Sequence, residues 1–169
     1  MEIRIKKAEP SDAAMLLEYL KQVGRETDNL TFGPEGMPFS VEAEAEFIFS
    51  MKNSTDNILL IAKCDNKIVA CASLNRLPRR MKHRGDFAIS VAKDYWNKGI
   101  GSQLLDNIIA FARENDFEII DLQVRSDNKS AIHLYENYGF QKIGEHPAFF
   151  KISDENILFD IMCLKLINS

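Results

Sequence analysis

The stretch Val91-Ala92-Lys93-Asp94-Tyr95-Trp96-Asn97-Lys98-Gly99-Ile100-Gly101-Ser102 has the make-up of an anion-binding turn. A strand pattern runs into a short glycine-bearing loop, and the loop opens a long amphipathic helix. The first turn of a helix carries N–H groups without intrahelical partners, and the helix dipole adds positive potential there. Glycines let a ligand's phosphates approach that turn with no side chain in the way. Lys98 adds a positive charge. A pyrophosphate suits such a place, held by Gly99 and Gly101 with the amides of Ile100 and Ser102. The stretch is not a P-loop, because GxxxxGK[ST] is absent. Nor is it a dinucleotide fingerprint, which needs a third spaced glycine and an acidic residue at the next strand end. Taken alone, the loop also fits a tight strand-to-helix turn with no ligand.

A second segment follows, Leu122-Gln123-Val124-Arg125-Ser126-Asp127-Asn128-Lys129-Ser130-Ala131-Ile132-His133-Leu134-Tyr135-Glu136-Asn137-Tyr138-Gly139-Phe140. Asn128 stands where a helix begins, and Asn is a good N-cap. Tyr135 is two helical turns further on, so it shares a face with Asn128. Tyr138 reads as a packing residue near the helix end.

Together the two segments resemble the GNAT superfamily of N-acetyltransferases over Arg84 to Phe140. The first is similar to that family's acyl-CoA pyrophosphate loop, (Q/R)xxGxG. Trp96 stands where the family has Gln or Arg, which leaves phosphate binding to the main chain. The second is similar to the family's Asn-x-x-Ala and x-Leu-Tyr-x-x-x-Gly-Phe signature. Lys151, Asp160 and Met162 resemble the ending of a branch containing ribosomal-protein alanine and small-amine acetyltransferases.

The resemblance implies an α/β (α+β) fold. It implies one GNAT domain over residues 1–169, with a mixed, mostly antiparallel sheet splayed at the acyl-CoA site and helices on both faces. It implies acetyl-CoA as acyl donor, no metal, and a primary amine of a small molecule or peptide N-terminus as acceptor. The amine would attack the thioester directly in a ternary complex. Main-chain groups at Ile89 and Val91 would pair with the pantetheine amides, and the Val91 N–H would polarise the thioester carbonyl. Lys98, Gly99, Ile100, Gly101 and Ser102 would hold the pyrophosphate. Asn128 would contact the cofactor, and Tyr135 would meet it as general acid. A non-catalytic acyl-CoA-binding regulatory module is the alternative. An acceptor amine must lose a proton before attack. Asp86, His83, Glu26, Glu35 and a water chain are all open as the base. The basic cluster Arg76, Arg79, Arg80, Lys82, His83, Arg84 suits either the cofactor's 3′-phosphate, an acidic substrate or a solvated loop.

These groups need elements to position them. Glu2 to Lys6 alternates like a strand. Pro10-Ser11-Asp12 opens a helix with Met15, Leu16, Tyr19, Leu20 and Val23 on its apolar face. Gly24 to Phe39 is turn-rich and would shape the acceptor pocket. Ser40 would cap a helix carrying Ala45, Phe47, Ile48 and Met51. Asn57 to Cys64 and Lys67 to Leu77 read as a hairpin about Asp65-Asn66, and Arg84 to Val91 as a strand. Gly99 to Asn115 is helical, Glu118 to Val124 a strand, Asn128 to Tyr138 a helix stopped by Gly139. Phe140 to Ile143 and Ile157 to Ile167 would be the last strands. The order βααβββαβαββ predicts a mixed sheet with helices on both faces.

The 169 residues, 46% hydrophobic and 27% charged, suit one globular domain. The net charge of -4 argues against nucleic acid as a partner. The apolar runs are too short for a membrane span, and the alternating N-terminus is unlike a signal peptide. Cys64, Cys71 and Cys163 read as free thiols of a cytoplasmic protein. No CxxC or HxxxH spacing exists, and His83, His133 and His146 are scattered, which argues against a metal. A homodimer is compatible with all of this.

Overall fold

The computed structural model describes residues 1–166. The elements are β1 (Ile3–Lys7), α1 (Ala13–Glu26), α2 (Val41–Met51), β2 (Asn57–Cys64), β3 (Lys67–Arg76), β4 (Arg84–Val91), α3 (Ile100–Glu114), β5 (Ile119–Arg125), α4 (Lys129–Asn137), β6 (Gln141–Ile152) and β7 (Glu155–Lys165). The strands form one seven-stranded sheet in the order β1-β2-β3-β4-β5-β7-β6. β4 and β5 run parallel, while β1–β2, β2–β3, β5–β7 and β6–β7 are antiparallel. The element order matches the one read from the sequence.

The chain divides into two compact units. The first holds residues up to Asn75 together with Ala88–Phe111. Its core joins Leu16, Tyr19 and Val23 of α1 to Ile48 of α2, Ile61 of β2, Ile68 of β3 and Ala92. Leu60, Ile61 and Ala62 are buried in succession, as are Ile68, Val69 and Ala70. Successive strand residues point to opposite faces, so both faces of β2 and β3 are covered. The β2–β3 turn places Asp65 and Asn66 at φ 48° and 64°, the conformation of a two-residue hairpin of the I′ type.

Two expected core positions are exposed, Met15 on α1 and Phe47 on α2. On α2 the buried stripe is Glu44, Ile48 and Met51 instead, at helical spacing. Glu44, which was not expected in the core, joins the stripe, and Phe47 is exposed.

The second unit holds Arg76–Phe87 and the chain from Ala112 onward. Phe117, Ile120, Leu122 and Met162 are its largest fully buried side chains. β6 is longer than the sequence suggests, extending from Gln141 to Ile152, and β7 starts two residues earlier than expected, at Glu155. Its register with β7 shifts between Lys142 and Gly144 and again between His146 and Phe150. Each shift breaks the alternation that marks a strand in sequence. Ser153 and Asp154 turn the hairpin at φ 48° and 64°. Ile167, expected at the end of the final strand, lies outside the described residues.

Asp12 anchors the start of α1. It is 4% exposed and accepts from Lys63 at 2.6 Å, Lys6 at 2.8 Å and the Glu9 N–H at 2.9 Å. Burial alone would raise its pKa. The two lysines and the amide outweigh burial and hold the carboxyl at about 2. A depressed pKa stabilises the fold above the ordinary carboxylate range, and that stability is lost as pH falls through about 2. Asp12→Asn should cost roughly 2 kcal/mol at pH 7 in urea unfolding. The gap to the wild type should close as the acid range is entered. A gap that is independent of pH would show that packing, not charge, is what Asp12 contributes.

Candidate active site

The parallel ladder between β4 and β5 covers three residue pairs, Arg84↔Ile119, Gly85↔Ile120 and Asp86↔Asp121. β4 ends at Val91 and β5 at Arg125. In the first unit the end of β4 is fixed by other bonds. The Ala92 N–H donates to the Val69 carbonyl at 2.9 Å, and the Trp96 indole N–H donates to the Val91 carbonyl at 2.8 Å. Trp96 thus ties the loop back to the strand, a role that its position in the motif did not suggest.

The loop then makes a short 3₁₀ turn, Lys93–Tyr95, whose Lys93 N–H donates to Glu26 at 2.8 Å. Asn97 and Gly99 take φ values of 59° and 78°. The left-handed conformation at Gly99 favours glycine. A Cβ built there would meet nothing within 4 Å, so the space over the turn is open. Lys98 is exposed, its Nζ 5.1 Å from the Tyr95 ring centre. The Gln103 N–H donates to the Gly99 carbonyl at 3.2 Å and starts the helical ladder of α3. The N–H groups ahead of it, at Ile100 and Gly101, have no acceptor within a helix that begins there. Ser102 completes this first turn, and Ile100, Leu104, Leu105 and Ile108 anchor the helix in the core. An open glycine turn, a helix N-terminus and a lysine fit a pyrophosphate.

Ile89 and Val91 are half-buried on β4. Between them Ser90 forms a polar knot: its hydroxyl lies 2.9 Å from the Tyr19 hydroxyl and 3.4 Å from the Cys71 thiol. Burial is the main reason why the Tyr19 hydroxyl is shifted far up, and it pushes the Cys71 thiol up to about 11. Both stay protonated at neutral pH.

In the second unit, Asn128 caps α4, its side-chain oxygen accepting from the Ala131 N–H at 3.3 Å. Tyr135 is 6% exposed, edge-on to Phe87 at 6.1 Å and tilted against Phe140 at 5.6 Å. Burial pushes its hydroxyl well up, so it remains a proton donor. The helix end explains the spacing to Gly139 and Phe140. The Phe140 N–H donates to the Tyr135 carbonyl at 3.1 Å and the Gly139 N–H to the Glu136 carbonyl at 3.0 Å, a Schellman close. Gly139 sits at φ 94°. Tyr138 is the half-buried C-cap residue.

The expected base candidates differ sharply. Glu26 spends one oxygen on Lys93 and the other on the Gln22 amide at 2.8 Å. Glu35 is exposed and accepts from the Gly33 N–H, which holds its pKa down. The His83 carbonyl accepts from Glu118 and Ile119 in the second unit. Asp86 is half-buried, its carboxyl raised by burial and then by Asp121. The basic cluster is not one patch. Arg84 pairs with Asp121 at 2.6 and 2.7 Å, and Arg76 caps the carbonyls of Lys82 and Asn115 over the Phe117 ring. Arg79, Arg80 and Lys82 remain as its exposed part. Among the described residues, no cluster of His, Cys, Asp and Glu could hold a metal ion, and no helix is long and apolar enough to cross a membrane.

Known proteins match this arrangement. The Acetyltransferase (GNAT) family matches residues 14–140. The N-alpha-acetyltransferase RimI of Mycobacterium tuberculosis is 32% identical over 101 residues, which cover 59% of this chain and 62% of that protein. The chain spans less than two thirds of the length of the curated relatives it matches. A GNAT-family acetyltransferase of Streptococcus pneumoniae superposes with a TM-score of 0.93 at 31% identity, covering 98% of this chain and 100% of that one. In fold alone, the putative acetyltransferase yncA of Salmonella typhimurium, solved with acetyl-CoA, has a TM-score of 0.84 at 17% identity, covering 99% and 95%. With the glycine turn at the head of α3 and the Asn128-to-Phe140 signature both inside the matched residues, the chain belongs to the GNAT acetyltransferase family.

Proposed function

We propose that residues 1–169 act as one N-acetyltransferase domain that moves an acetyl group from acetyl-CoA to a primary amine by direct attack in a ternary complex. The observation that carries this reading is the open turn at Gly99. It leads into the first turn of α3 from the strand that ends at Val91. Acetyl-CoA bound in yncA, a protein of the same fold, supports the choice of donor.

When bound, acetyl-CoA supplies the acetyl thioester. Lys98, Gly99, Ile100, Gly101 and Ser102 hold its pyrophosphate. The main chain of Ile89 and Val91 holds the pantetheine arm, and the Val91 N–H polarises the thioester carbonyl. Asn128 holds the cofactor from the head of α4. Tyr135, kept protonated by burial, gives its proton to the departing sulfur. The enzyme supplies positioning and proton handling, with no acetylated side chain on the pathway. Free thiols at Cys64, Cys71 and Cys163 support a cytoplasmic location.

Release of free CoA, followed with a thiol reagent against a panel of primary amines, is the direct test. At least one amine should raise release clearly above hydrolysis. A protein that binds acetyl-CoA yet acetylates no amine would be a binding module instead. Gly101→Val should weaken acetyl-CoA by at least about tenfold in calorimetry, because a branched side chain intrudes on the phosphate turn. Unchanged affinity would move the pyrophosphate elsewhere. Tyr135→Phe should lower kcat toward the small end of the ~10²–10⁴-fold range of acid catalysis, with acetyl-CoA affinity kept. Tyr138→Phe should stay near wild type. Equal turnover of Tyr135→Phe and wild type, where chemistry limits the rate, would leave Tyr135 a packing residue.

A further inference from the structure

Three carboxylates in the described residues are buried, and two of them have partners. Asp12 is held by Lys6, Lys63 and the Glu9 amide. Asp160 accepts from Ser126 at 2.5 Å and faces Lys142 at 3.2 Å. The third, Glu44 on α2, is 5% exposed, and its carboxylate makes no hydrogen bond or ion pair among the described residues. No buried side-chain oxygen there lacks a partner. The Glu44 oxygens, having none, therefore sit where solvent reaches them. The residue as a whole is buried while its carboxylate oxygens keep contact with solvent. A structural acid would be expected to have partners, as the other two do.

Its surroundings belong to the first unit. Glu44 shares its stripe with Ile48, which packs with Tyr19 in the core, and Cys71 packs against the same core. Its charge is felt at the Cys71 thiol, and Cys71 lies 3.4 Å from Ser90, the residue before Val91. Several titratable groups on the elements packed against α2 are engaged, and Arg25 on α1 is exposed and makes no ion pair with Glu44. Asp12 in the Pro10–Asp12 turn is tied to two lysines, Lys63 on β2 is one of them, and Tyr19 on α1 is bonded to Ser90. Glu18 and Lys21 on α1 pair with each other. Among the described residues no cation pairs with Glu44, which leaves its charge to a cation from outside.

We propose that Glu44 binds the ammonium group of the acceptor and takes its proton, and that the acceptor is accordingly an aliphatic amine, protonated at neutral pH. The proposal rests on the acetyl-transfer reading given above. One proton passes from the ammonium nitrogen to a Glu44 oxygen and on to water. The freed lone pair forms the N–C bond as the C–S bond breaks onto sulfur. The second proton lost by nitrogen goes to solvent, and Tyr135 protonates the sulfur and is itself reprotonated by water. Burial raises the Glu44 carboxyl, which brings it closer to the acidity of such an amine.

The test compares wild type with Glu44→Gln, Glu44→Asp and the exposed, same-helix control Glu46→Gln. Two quantities are read across neutral to alkaline pH: kcat/KM for an aliphatic amine, and the acetyl-CoA dissociation constant. Glu44→Gln should lose about 10²-fold in kcat/KM at neutral pH with acetyl-CoA affinity unchanged. The deficit should shrink as pH approaches the amine's own pKa, roughly 8 to 10. Glu44→Asp should recover part of the loss, and Glu46→Gln should match wild type. An arylamine, already neutral, should be indifferent to Glu44→Gln. A second readout needs no turnover. A raised carboxyl pKa makes wild type lose stability as pH climbs through it, and Glu44→Gln should lack that slope. Wild-type amine kinetics in Glu44→Gln would overturn the Glu44 assignment alone. A deficit that stays constant with pH, or equal loss of acetyl-CoA affinity, would also overturn it. A wild type that acetylates no amine would overturn both this and the acetyl-transfer reading.

Discussion

Everything proposed for this chain depends on the end of β4. A strand carries one N–H and one C=O per residue, and these need partners. Along β4 the chain meets that demand selectively. The Val91 carbonyl goes to the Trp96 indole and the Ala92 N–H to Val69. Strand edges inside a sheet are costly to leave bare, and a ligand with amides of its own is a natural partner for one.

The same economy runs through the polar side chains of the first unit. Ser90 satisfies Tyr19 and Cys71 together, and Asp12 satisfies two lysines and a helix start. Glu26, far from the loop in sequence, supplies the acceptor for Lys93 at its entrance. A group without such a partner, Glu44, stands out because its neighbours are so completely paired.

The parts read correctly from sequence were those with a strong period or a short-range signal. α3 shows its apolar stripe plainly, and its buried residues are the ones the period picks out. Asp65-Asn66 and Gly139 mark their turns by chemistry that few other residues supply. Reading failed where tertiary context overrode local pattern. Glu44 looks like a surface charge beside Phe47, yet the packing of α2 buries the first and exposes the second. β6 hides its length behind two register shifts. Arg76 and Arg84 look like a phosphate patch until their partners, Asn115 and Asp121, come into view from 37 or more residues away. The indole bond of Trp96 depends on a loop conformation that no spacing rule encodes.

The Cys71 thiol, pushed up to about 11, has a chemical consequence. At neutral pH only about one such thiol in ten thousand is ionised, and the thiol form is a poor nucleophile. Among the described residues its neighbour Ser90 bonds the equally reluctant Tyr19 hydroxyl and the thiol itself, neither of them a general base. In the transfer proposed above, an activated acyl group would be held beside this strand. Ser90 and Cys71 would then be chemically silent toward it, neither competing with the amine for the acyl group.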